Sequence, residues 1–309
     1  MRHVKLFEAF STHKPLTEEQ ISWLDECATG VWNLNPSTGL VDVDGDFYCA
    51  GQDLKDFKGV RFGHVKGDFR CNDNQLTSLE GAPKTVDGRF SCSSNQLASL
   101  DGAPETVKGY FDCSRNQLTS LEGAPNTIKD DFNCAINQLT SLDGAPNTIK
   151  GDFSCAYNQL TSLDGAPQTV GGGFDCSNNQ LTSLEGAPKT DGGYFYCHYN
   201  QLTSLDGAPK TVKGNFYCDN NQLTSLVGAP QTVGGIFLCN NNPISEKTLA
   251  SIFNLMKKGK SYQQALEEFW PDMDNDDRSL MYKDHISLTP EEIRRYQALG
   301  TVNRIKNYL

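Results

Sequence analysis

Apolar residues recur along this chain at fixed offsets within a unit of 21 residues. The copy that begins at Gly151 reads GDFSCAYNQLTSLDGAPQT and closes with Val170 and Gly171. Phe153 and Cys155 flank Ser154, the alternation of a short strand with Phe and Cys inward and Ser outward. Leu160 and Leu163 follow. Asp164-Gly165 and Ala166-Pro167 then mark a turn through which neither a helix nor a central strand continues. Thr169-Val170 brings the chain inward again. Each unit thus points Phe, Cys, Leu, Leu and Val at one interior, which a single unit cannot bury alone but stacked units can. Each leucine so buried contributes roughly 2 kcal/mol.

Cysteine marks the beat. Cys71, Cys92, Cys113, Cys134, Cys155, Cys176, Cys197, Cys218 and Cys239 are each 21 residues apart, and Cys49 precedes Cys71 by 22. This period predicts a solenoid. A second row falls three residues after each cysteine: Asn74, Asn95, Asn116, Asn137, Asn158, Asn179, Asn200, Asn221 and Asn242. Where a strand bends away, backbone groups lose their ladder partners, and an amide that both donates and accepts replaces them. The row therefore reads as a structural asparagine ladder, each member worth about 1–3 kcal/mol.

The motif FxCxxNQLTSLxGAPxTV resembles a short, bacterial-type leucine-rich repeat, with Phe and Cys where that family has leucine. The resemblance covers residues 45–242. It implies a right-handed α+β solenoid of about ten coils, parallel strands on one face and irregular extended segments on the other. Within the repeats the sequence is similar to secreted effectors of Gram-negative pathogens, whose ligases carry a separate catalytic domain. The flanks VDVDGDFYC (41–49) and KKGKSYQQALEEFWPDMD (257–274) resemble leucine-rich-repeat proteins of tailed phages. That second resemblance implies a phage-encoded binder or inhibitor of a host protein, working in the host cytoplasm.

The ends break the pattern. Residues 1–44 are expected to form an N-terminal helical cap, because Thr17 to Gln20 fits a capping box ahead of Ile21, Trp23 and Leu24. Trp32 is assigned to the same cap. The first coil is degenerate: Gln52 takes the asparagine place, Asp53 the glutamine place and Phe57 a leucine place. Residues 243–309 are expected to form a C-terminal helical cap. Ser245 starts one helix with Leu249, Ile252, Phe253 and Met256 on one side; Ser261 starts another, and Thr289-Pro290 a third.

Composition narrows the function. The net charge of −11 offers no basic stripe, which disfavours a nucleic-acid or anionic-membrane partner. No segment has the apolar length of a signal peptide or a membrane span, so the protein is expected in the cytoplasm. Eleven cysteines raise a disulfide framework and a metal ladder as alternatives. The count is odd, and a parallel row of thiols about 5 Å apart directs its Cβ vectors alike. No CxxC pair is present. Cysteine as a small buried hydrophobe opposite phenylalanine is the preferred reading, and it implies a reducing compartment.

Candidate chemistry is sparse. Of the histidines His3, His13, His64, His198 and His285, only His198 falls on the strand face of the main array. Alternation separates it from Cys197, so no Cys–His dyad forms. No Ser/His/Asp arrangement or phosphate loop is present, and residues 243–309 lack cysteine, so the ligase activity of the similar effectors is not expected. No catalytic residue, metal site or cofactor is assigned. Asp272, Asp274, Asp276 and Asp277 imitate a calcium loop but have Asp277 for its glycine and Lys283 for its bidentate acid. Acids precede each Gly-Ala-Pro (Glu80, Asp101, Glu122, Asp143, Asp164, Glu185 and Asp206), either as turn chemistry or as a negative stripe. Lys108, Lys129, Lys150 and Lys213 recur nearby in sequence.

The positions that vary carry the most information. They lie one and three residues before each cysteine and one or two after it, and are expected to be exposed. In the first half they are small or charged: Arg70, Ser91, Ser93, Asp112, Arg115, Asn133. Later, aromatics gather. Tyr157, Asp175, Tyr194, Tyr196, His198, Tyr199, Tyr217 and Asp219 are therefore assigned as a partner-binding patch of tyrosines edged by acids. Leu238 follows on the next coil, and Asp191 replaces an inward valine just before the rung of Tyr194, Tyr196, His198 and Tyr199. The function read from this is non-enzymatic binding of a protein partner through the strand face. The alternatives are a structural or adhesive self-associating repeat and a carbohydrate-binding solenoid.

Overall fold

The structure is a computed structural model that describes residues 14–190 and 192–244. It is a β-solenoid of about nine parallel-strand turns with one N-terminal helix. It divides into two compact units, residues 1–158 and 159–309. The helical cap expected at the C-terminus lies outside the described residues from 245 on, as do Asp191, His3, His13, His285 and the acidic run at 272–277.

The first unit opens with α1 (Glu18–Cys27), whose capping box closes at both ends: Thr17 Oγ1 accepts from Gln20 N–H and Gln20 Oε1 accepts from Thr17 N–H. The helix buries Trp23, Leu24 and Cys27. The Trp23 ring meets Phe47 edge-on at 5.2 Å, and its indole N–H donates to Gln52 Oε1 at 2.8 Å. The degenerate coil thus uses Gln52 to hold the helix. Trp32 belongs to no helix. It lies on β1 (Val31–Leu34), which pairs antiparallel with β2 (Val41–Asp44) across a turn where Asn35 Oδ1 accepts from the N–H groups of Ser37 and Thr38.

Two parallel ladders then run through the unit. One consists of Phe47–Tyr48, Phe69–Arg70, Phe90–Ser91, Phe111–Asp112, Phe132–Asn133 and Phe153–Ser154, phenylalanine opposite phenylalanine throughout. The other extends from β2 through Phe62–Val65, Thr85–Val86, Thr106–Val107 and Thr127–Ile128. The Thr-Val segments therefore form a second sheet, not irregular extended chain. Phe69, Phe90 and Phe111 stack at 5.6 Å with 7° and 13° between ring planes. Phe111, Cys113, Leu118 and Leu121 are fully buried.

The second unit repeats the scheme. Phe174–Asp175, Phe195–Tyr196, Phe216–Tyr217 and Phe237–Leu238 form a parallel ladder in register. Thr169–Val170 pairs with Lys189–Thr190, and Thr211–Val212 with Thr232–Val233. All eleven cysteines of the chain are buried thiols.

One backbone feature is shared by every coil. The residue just before each asparagine is left-handed, from Asp73 (φ 56°) to Asn241 (φ 53°). Asn and Asp tolerate this conformation. Ile136 (φ 57°), Tyr157 (φ 56°) and Tyr199 (φ 52°) adopt it too, and all three are exposed.

Candidate functional site

The asparagines close the corner after each strand. In the first unit, Asn137 Nδ2 donates to the carbonyls of Cys113 (3.2 Å) and Cys134 (3.0 Å), and its Oδ1 accepts from Leu118 N–H at 3.1 Å. In the second, Asn200 Nδ2 donates to Cys176 and Cys197 carbonyls at 3.1 Å, and Oδ1 accepts from Leu181 N–H at 2.9 Å. Each amide is used in full by backbone groups of two successive coils, so this row offers nothing to a ligand.

The acids before Gly-Ala-Pro are all exposed. The N–H groups of Glu80, Asp101, Asp143, Asp164, Glu185 and Asp206 are held by the serine two residues earlier, as in Glu80 to Ser78 Oγ and Asp143 to Ser141 Oγ, both 3.0 Å. This is turn chemistry. Lys108 is drawn elsewhere, pairing with Asp87 at 2.9 Å. That pairing, with His64 also at hand, holds the Asp87 carboxyl below the usual carboxylate range. Among the described residues, no group of three or more His, Cys, Asp or Glu is placed to hold a metal ion.

Of the patch residues, Tyr157 lies in the first unit and the other seven in the second. Within the second unit the strands deliver a stack. Tyr194 and Tyr196 lie face to face at 4.3 Å, and Tyr196 and Tyr217 at 4.5 Å with 10° between planes. In-register pairing of Phe195–Tyr196 with Phe216–Tyr217 fixes the second contact. Gly173 makes room for the first: a Cβ there would sit 2.4 Å from the Tyr194 ring. Nothing in the sequence beyond a glycine where other coils carry larger residues marks that role. His198 meets Tyr196, Tyr217 and Tyr199 edge-on at 5.9, 6.2 and 5.6 Å. The three stacked tyrosines are half-exposed, and Tyr199 is 54% exposed.

The expected exposed acidic rim needs correction. Asp219 is only 7% exposed, and Ser91, Asp112, Ser114 and Ser177 are also buried. Coils about 5 Å apart let long neighbours cover short side chains. Asp219 Oδ2 accepts from Asn220 Nδ2, but among the described residues Oδ1, which is buried, has no partner. His198 Nδ1 and Asn240 Oδ1, one coil to either side at the same register, are likewise buried without partners among the described residues. Burial and the adjacent Tyr196 and Asp219 raise the Tyr217 hydroxyl above its ordinary pKa. Asp175 is half-buried and accepts from Ser177 N–H at 3.0 Å.

The first unit uses the same face differently. Arg89 lies 4.4 Å over the Tyr110 ring and pairs with the buried Asp112 at 3.3 Å. Arg70 lies 5.1 Å over Tyr48 and pairs with Asp68 at 2.7 Å. Nothing in the sequence beyond their place at the variable positions marks Tyr48, Arg89 or Tyr110.

No family model matches this sequence, and no curated protein does. Among solved structures the chain is similar to YopM from Yersinia enterocolitica WA-314, with a TM-score of 0.50 and 22% sequence identity. The likeness takes in 60% of this chain and 42% of YopM, so this chain spans less than half the length of that protein. At this identity the similarity is one of fold: a leucine-rich-repeat-like β-solenoid.

Proposed function

We propose that this chain is a non-enzymatic protein-binding module whose contact surface is the strand face of the second unit. The observation that carries this reading is the stack of Tyr194, Tyr196 and Tyr217 on a β-ladder. Stacking and the ladder hold these rings in place before any partner arrives, so little side-chain entropy is lost on binding. Half-exposed tyrosines of this kind are typical anchors of protein interfaces. Among the described residues, nothing around them supplies a nucleophile with a base: His198 is the titratable nitrogen at the stack, and alternation keeps it from Cys197. No helix among the described residues is long and apolar enough to cross a membrane.

The resemblance of the flanks to phage proteins makes a host protein the partner to look for, with sequestration or inhibition as the outcome. The test is affinity capture from a bacterial lysate, beside the double variant Tyr196→Ala and Tyr217→Ala. The expected result is a protein retained by the wild type and lost by the variant, with the melting temperature nearly unchanged. Undiminished capture by the variant would overturn the assignment of this face. Concentration-dependent self-association with nothing captured would favour a structural, self-associating role, and stabilisation by glycans a carbohydrate-binding one.

A further inference from the structure

We infer that the partner presents an arginine, and that its guanidinium seats on the Tyr217 ring, the open end of the tyrosine stack, above buried Asp219. This inference rests on the protein-binding reading. The first unit supplies the precedent within the same chain. There, a buried strand-face aspartate, Asp112, is accompanied by a tyrosine and by an arginine that both stacks and pairs: Arg89 lies 4.4 Å over Tyr110 and 3.3 Å from the carboxylate. Arg70 over Tyr48, paired with Asp68, is a second instance.

The second unit has two of these three parts. Asp219 is as buried as Asp112, at 7% against 6% exposure, though it sits two residues later in its coil. Stacked rings lie beside it. The arginine is missing. At the face positions of this unit, one and three before and one and two after each cysteine, no lysine or arginine occurs. Among the described residues no cation pairs with Asp219, and its Oδ1 has no hydrogen-bond partner. A buried carboxylate without a counter-charge is costly. A planar cation lying on the negative face of a tyrosine ring supplies that charge without displacing any existing bond. Guanidinium fits better than ammonium, because it stacks flat on aromatic faces and is weakly hydrated.

The test uses fluorescein-labelled hexaarginine, hexalysine and hexacitrulline peptides, titrated into the purified full chain and read by polarisation. Hexaarginine should bind about tenfold more tightly than hexalysine. Hexacitrulline, equally planar but neutral, should not bind. Tyr196→Leu with Tyr217→Leu, and separately Asp219→Asn, should bring hexaarginine down to the hexalysine level. Leu238→Arg provides a variant that keeps a long side chain on the face. It sits in the coil after Tyr217 as Arg70 does after Tyr48, and should fill the site from within. Equal binding of the arginine and lysine peptides, or arginine binding untouched by these variants, would overturn the inference. The capture experiment separates the two claims. A protein lost with the tyrosines but not displaced by excess hexaarginine leaves the protein-binding face standing and removes the arginine.

Discussion

The side-chain oxygen of Asn116 accepts a hydrogen bond from the backbone N–H of Leu97, 3.0 Å away in the preceding coil. Its Nδ2 donates to the carbonyls of Cys92 and Cys113, again one in each coil. With a further contact to the Ser114 carbonyl at 3.2 Å, one small amide therefore satisfies four backbone groups where the ladder stops. It works because the residue before it, Arg115, is left-handed and turns the chain.

Replacing Asn116 by alanine would strand those groups in the core. The expected cost is about 1–3 kcal/mol for each buried group left without a partner, so several kcal/mol in total. Urea denaturation followed by circular dichroism measures it. Asn116→Asp should be worse than alanine at neutral pH, since a carboxylate accepts from Leu97 but meets three carbonyl oxygens. A variant as stable as the wild type would show that water replaces the amide.

Gly144 makes a close approach to the preceding coil at the opposite corner. Its φ is 92°, and a Cβ there would lie 2.4 Å from the carbonyl carbon of Leu121 in the preceding coil. The Cβ is fixed by the backbone that carries it and the atom it meets is backbone, so neither can swing aside. Gly144→Ala should destabilise the fold by more than about 2 kcal/mol, combining left-handed strain with overpacking. The same substitution at Gly51, whose Cβ would meet nothing within 4 Å, should cost only the conformational part. Equal losses at the two sites, in the same denaturation assay, would refute the steric account.

Ile136 is held at φ 57° although it is β-branched and 39% exposed. Left-handed backbone costs such a residue about 1–2 kcal/mol, which asparagine largely avoids. Ile136→Asn should therefore raise the urea midpoint, by an amount equivalent to about 1 kcal/mol. A lower midpoint would mean that the isoleucine side chain makes compensating contacts on the surface.

The 21-residue beat exposes the core because each inward position keeps one residue type at one offset. Two-residue strands carry no alternation, so the Thr-Val segments gave no sign that they pair as a second sheet. The β1–β2 pair was readable in principle, since Val31, Trp32, Val41 and Val43 flank Asn35-Pro36-Ser37-Thr38-Gly39. The capping box at Thr17 directs the expectation there to a helical cap instead. The left-handed position shows as Asp73, Ser94, Asn178 and Asn220, but Ile136 and Tyr157 hide it. At the candidate site, the tyrosine neighbours follow from register alone. The burial of Asp219 does not, because it depends on which side chains of adjacent coils lie over it.

The thiol ladder gives a stability profile with a definite sign. Burial pushes the thiols of Cys49, Cys71, Cys92, Cys113, Cys134, Cys197 and Cys218 far above their ordinary pKa. In the unfolded chain they ionise near 8.5–9, roughly the value of a free cysteine. A group whose folded pKa is raised contributes stability that is complete below the unfolded value and is lost as pH rises above it. The urea midpoint should thus stay level from about pH 7 to 8 and fall steeply above about pH 9. Each thiol ionised only in the unfolded chain removes about 1.4 kcal/mol per pH unit. Tyr110, pushed up to about 12 by burial, adds in the same direction at higher pH. Replacing Cys92 and Cys134 by alanine should flatten the fall by about two protons' worth, whatever it does to stability at pH 7. In parallel, a thiol reagent at pH 8 should modify none of the eleven cysteines of the native chain and all of them in urea. Rapid modification of a native thiol, or a midpoint level through pH 10, would show that the row is open to solvent.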